Sequence, residues 1–127
     1  MTLAYWCVFI AMFLPWLCAA YAKKSGGFSG RDNHNPRDFM ANTQGVAARA
    51  NAAQQNSFEV FAPFAAAVII AHTSGNAAQG SINFWALLFV FSRLAYIWLY
   101  IKDMATMRSI VWAVGLLCIV ALFIAAI

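Results

Sequence analysis

Residues 82–101, INFWALLFVFSRLAYIWLYI, decide the fold. These 20 residues carry one charge, Arg93, and about 20 apolar residues in a helix cross the roughly 30 Å hydrocarbon core of a bilayer. Working outward, three more stretches have the same character. One runs from about residue 3 to 22 without any charge, one from about 39 to 72, and one from about 110 to 127. The sequence therefore predicts an all-α integral membrane protein, a bundle of four transmembrane helices forming one domain over residues 1–127.

Composition agrees. Of 127 residues, 64% are apolar and 9% charged, against about 45–50% and 25% in an ordinary soluble domain. A soluble chain of this size would leave large apolar patches in water. Eight Lys and Arg stand against four Asp and Glu. So sparse a basic excess reads as membrane topology, not as a nucleic-acid surface.

The first stretch could be taken for a signal peptide, with Ala20 and Ala22 imitating a cleavage site, but no basic residue precedes its apolar run. Cys7, Cys18 and Cys118 lie inside apolar spans and read as small buried hydrophobes. His34 and His72 have no ligand-spaced partners, so no metal site is expected, and there is no phosphate loop or nucleophile motif.

Orientation follows from the basic residues. Lys23, Lys24, Arg31 and Arg37 lie in the first connection, Lys102 and Arg108 in the third, and none in the second. The positive-inside rule puts those two connections in the cytoplasm and both termini on the non-cytoplasmic side. Ser25–Gly30 reads as a mobile Gly/Ser loop, and Asn35, Pro36 and Asp38 as the cap and first turn of the second helix. That helix is rich in Ala up to Asn56, and Ala47, Ala48, Ala50, Ala52 and Ala53 would allow close helix contact. Pro15 and Pro63 are expected to kink their helices.

Two charges lie where lipid is the solvent. Glu59 and Arg93 would each cost a few kcal/mol facing acyl chains, so both are expected to face the bundle interior. At about 1.5 Å per residue, Glu59 stands roughly 20 Å from His72 and Arg93 roughly 16 Å from Ile82, so the two are expected to pair. Arg49, Asn56 and Glu59 share about 80° of one helix face, and Arg93, Tyr96 and Tyr100 about 60° of another. Arg108 is expected just before the fourth helix, where the helix dipole disfavours a cation. Some other benefit must hold it there, or it is an interfacial anchor.

The run Arg49-Ala50 through Asn56-Ser57-Phe58-Glu59, followed by Phe61, Pro63-Phe64, then Arg93, Tyr96, Tyr100 and Arg108-Ser109, resembles the MAPEG family, the membrane-associated proteins of eicosanoid and glutathione metabolism. The opening Asp32-Asn33-His34-Asn35-Pro36-Arg37 is similar to short bacterial members. The resemblance implies a trimer of four-helix protomers in a bacterial inner membrane, with a glutathione site at each subunit boundary. It implies that Arg49, Asn56 and Glu59 hold the tripeptide, that Arg93, Tyr96 and Tyr100 line its wall, and that Arg108 faces the sulfur with Ser109 beside it. A nearby Arg favours the thiolate of a thiol whose ordinary pKa is about 8.5. In the glutathione-binding branch, further cations occupy the positions held here by Ala52 and Gln55, and His is frequent at that of Gln54. Their loss would weaken capture of a ligand with two carboxylates.

Three functions are compatible with these residues. The first is a glutathione-dependent transferase or peroxidase acting on a lipophilic electrophile. The second is a non-catalytic MAPEG-fold protein that binds membrane lipid in its interhelical cleft or serves as accessory subunit of a larger membrane complex. The third is a small proton-coupled exporter with Glu59 as carrier, although such exporters carry their acid on a first helix, which here is uncharged.

Overall fold

A computed structural model describes the whole chain, residues 1–127. Five α-helices follow one another: α1 Leu3–Gly26, α2 Pro36–Ala41, α3 Gly45–Ser74, α4 Gln79–Ile101 and α5 Ala105–Ala125, with a single 3-10 turn, Asp32–His34, before α2. All but α2 are long and apolar enough to cross a membrane. They run alternately up and down. At one rim Thr2 bonds His72 at 2.9 Å, and the Asn76 amide donates to the carbonyls of Ala126 and Ile127, both at 3.1 Å. At the other rim, Arg49 Nε donates to the Ile101 carbonyl at 3.3 Å.

Small residues set the closest helix contact. The α1 face turned inward is Ala4, Cys7, Ala11, Leu14, Cys18 and Ala22, a three-and-four spacing that keeps one stripe on one side. It meets α3, whose Ala47, Ala50 and Ala53 are buried. Side chains this short let backbones approach, which is how helices associate where lipid is as apolar as the core. In the middle, Phe64 of α3 stacks on Phe89 of α4 with ring centroids 3.8 Å apart. Gly115 brings α5 onto α4, since a Cβ there would lie 3.1 Å from Ser92 Oγ. The three cysteines are free and buried, and α1 and α3 continue unbroken through Pro15 and Pro63.

Three local expectations are corrected. The helix that Asn35 and Pro36 should open ends at Ala41, and α3 begins at Gly45. The Asn42 amide takes the Asp38 carbonyl at 2.8 Å, Thr43 Oγ1 takes that of Met40 at 2.7 Å, and Gly45 enters α3 at φ 59°. Side chains that satisfy these carbonyls compete with helix continuation. Asn35 stands at the cap position but makes no side-chain capping bond; its amide donates to the Asp38 carboxylate instead. Ser25 and Gly26, expected in a loop, are instead the last residues of α1. A Cβ at Gly26 would lie 3.0 Å from Phe39 and 3.3 Å from Ala47, so glycine lets α1 seat closely on α2 and α3. The fourth spanning helix begins at Ala105, which puts Arg108 inside its first turn and not ahead of it. In the connection before α2, Asp32 accepts from the backbone N–H and the hydroxyl of Ser29 at 2.7 and 2.8 Å, and these bonds hold its carboxyl below the usual range.

Candidate functional site

Arg93 is the largest fully buried side chain, 2% exposed, in the middle of α4. Its guanidinium points at α3. One terminal nitrogen donates to the Asn56 side-chain carbonyl at 2.9 Å and to Ser57 Oγ at 3.4 Å. The guanidinium also lies over the Tyr96 ring, 4.0 Å from its centroid. Its Nε–H has no partner. A buried charge-bearing donor left unpaired is costly.

Glu59 does not face the interior, and this corrects the expected pair. It is exposed on α3, and the Asn56 amide donates to its carboxylate at 2.9 Å. Asn56 thus stands between the acid and the base, accepting from one and donating to the other. The reason is positional. Asn56 is one turn nearer the basic rim than Glu59, and the guanidinium reaches that turn, while the carboxylate follows the outer side of the helix.

From Arg93 the arrangement continues toward the basic rim. Tyr96 meets Tyr100 edge to face, with centroids 5.6 Å apart. Arg108, in the first turn of α5, lies over the Tyr100 ring at 4.2 Å. This cation–π contact is the benefit that keeps a cation near a helix N-terminus, where the dipole opposes it. Two arginines are therefore spaced by two tyrosine rings, with an amide and a carboxylate at the deeper end.

Two expected residues stand apart. Arg49 is committed to the C-terminal carbonyl of α4 at Ile101 and makes no hydrogen bond to Asn56 or Glu59. Ser109 is exposed and donates to the Ala105 carbonyl of its own helix at 3.1 Å. Sequence reasoning gave no role to Ser57, which accepts from Arg93 while donating to the Ala53 carbonyl at 2.8 Å. It also missed Gly115, whose missing Cβ leaves room beside the Arg93 side chain at 3.9 Å. A lone glycine inside an apolar helix was the available signal. No three His, Cys, Asp or Glu side chains gather as metal ligands.

The model of the MAPEG family matches residues 3–127, essentially the whole chain. No curated protein and no solved structure gives a significant match.

Proposed function

The chain belongs to the MAPEG family, and on that premise we propose that it is a glutathione-dependent transferase or peroxidase acting on lipophilic electrophiles within the membrane. The observation that carries this reading is the continuous line from Glu59 through Asn56, Arg93, Tyr96 and Tyr100 to Arg108, with the Arg93 Nε donor unpaired.

The donor set fits glutathione in charge. Glu59 supplies an acceptor for the α-ammonium, Arg93 with its unpaired Nε–H supplies a cation for one carboxylate, Arg49 would reach the other only by leaving the Ile101 carbonyl, and Arg108 remains for the sulfur. Ala52 and Gln55 add no cation, so affinity rests on fewer charge-assisted bonds than in the glutathione-binding branch. Glutathione supplies the nucleophilic sulfur. Arg108 stabilises its anionic form, the Tyr96 and Tyr100 rings hold the two cations apart, and the surrounding apolar helices exclude water. The sulfur then bonds the electrophilic carbon, whose leaving group departs with its electron pair; Ser109 follows Arg108 in sequence but is held to its own helix by the Ala105 carbonyl.

Glu59 also supports assembly. A carboxylate exposed at this depth costs a few kcal/mol against hydrocarbon, and a neighbouring copy over the α3 face removes that cost. We take the assembly to be the trimer that the family resemblance implies, in a bacterial inner membrane with both termini on the non-cytoplasmic side, because the basic residues gather at the opposite rim.

The test is glutathione binding to purified protein, followed by ultraviolet absorbance of the thiolate at neutral pH. Wild type is expected to bind and to give the thiolate band. Arg108→Ala is expected to bind without giving it, at unchanged oligomer size. A thiolate band of equal strength in Arg108→Ala removes the proposed mechanism, and no binding to wild type removes the proposed ligand.

A further inference from the structure

The parallel helices α1 and α4 leave a groove of about 260 Å3 between them, walled only by hydrophobic side chains. Leu14, Leu17 and Tyr21 form one wall, and Leu94, Trp98 and Ile101 the other. Helical spacing puts Tyr96 on the opposite side of α4 from Leu94 and Trp98, so the groove opens away from the candidate site, with Cys18 packed between its floor and Tyr96.

An apolar groove alone names no occupant, but the end of this one is charged. Both helices rise toward the basic rim. Lys24 follows Tyr21 by one turn and Leu17 by two, and Lys102 follows Ile101 directly. Both lysines are exposed, and at this corner they outnumber the one acid, Asp103. Tyr21 and Trp98 are also exposed near that end, as amphipathic rings are at headgroup depth. A slot open to hydrocarbon with two ammonium groups over its mouth matches a chain with an apolar tail and an anionic head. We propose that the groove seats one acyl chain of an acidic phospholipid of the surrounding bilayer, with its phosphate between Lys24 and Lys102.

The full chain is reconstituted in phosphatidylcholine vesicles carrying a trace of either phosphatidylglycerol or phosphatidylcholine with a photoreactive diazirine in the acyl chain. Crosslinked peptides are then mapped by mass spectrometry. The acidic probe is expected to label Leu17, Leu94 and Trp98 well above the zwitterionic one. Lys24→Gln with Lys102→Gln is expected to erase that excess, at roughly fivefold per lysine, while Lys24→Arg with Lys102→Arg keeps it. Equal labelling by the two probes overturns the proposal. So does labelling spread evenly over other exposed residues such as Trp6 and Phe91, and so does an unlabelled groove, as when a second copy covers it.

Discussion

The Arg93 guanidinium reaches the Asn56 carbonyl at 2.9 Å, and Asn56 passes the contact on to Glu59 through its amide. A neutral carboxamide thus does what an ion pair was expected to do. Its dipole serves a buried cation and an exposed anion at once, and it avoids the desolvation of a second charge.

A double-mutant cycle is expected to place the coupling at Asn56. Asn56→Ala should cost about 1–3 kcal/mol of unfolding free energy in detergent, because it strips a buried guanidinium of its closest acceptor. Glu59→Gln should cost less than that, because Gln keeps an acceptor for the Asn56 amide. Coupling between Arg93 and Glu59 as large as that between Arg93 and Asn56 would refute this order.

Tyr100 holds Arg108 by its ring face. Tyr100→Phe keeps a face and is expected to keep thiolate formation near wild type. Tyr100→Leu removes about 0.5–1 kcal/mol of cation–π attraction, and the thiolate fraction should fall at fixed pH. Equal fractions in the two variants would show that the ring does not position Arg108.

Asp103 is the only non-glycine residue with positive φ, 60°. It closes α4, with its own N–H on the Tyr100 carbonyl at 3.1 Å and that of Met104 on Leu99 at 3.0 Å. Glycine is preferred at such a position, and a carboxylate opposes the dipole at a helix C-terminus. Asp103→Gly should raise the unfolding free energy by about 1 kcal/mol. Loss of stability would mean that the side chain makes a contribution of its own.

Gly115 should tolerate no large side chain. Gly115→Leu drives atoms into Ser92 and Phe89 and should destabilise by about 1–3 kcal/mol. Gly115→Ala should cost much less, because its gain in helix propensity of about 1 kcal/mol offsets a tight contact. Equal loss from the two variants would show that α5 cannot yield at all.

The spans were legible because a run such as 82–101 satisfies a length and a polarity requirement that only a membrane helix meets. The burial of Arg93 was legible for the same reason, since an isolated cation cannot face acyl chains. Its partner was not. Depth counted along two helices fixes heights only to about a turn, because the helix ends are not level and an Arg side chain is long, and one turn is the separation of Asn56 from Glu59. The stop at Asn42 escaped because it depends on which carbonyls Asn42 and Thr43 take, a local competition that periodicity does not record. Ser57 was hidden by its position one residue from Asn56, which a wheel drawing places on another face.

All charged side chains except Glu59 and Arg93 gather at one rim, among them Lys23, Lys24, Arg31, Arg37, Arg49, Lys102 and Arg108, and the rim holding Thr2, His72 and Asn76 has none. Seven cations on one side bias insertion toward a single sense and oppose dual topology. Copies inserted in one sense cannot pair head to toe, so a closed ring of them would have its symmetry axis along the membrane normal.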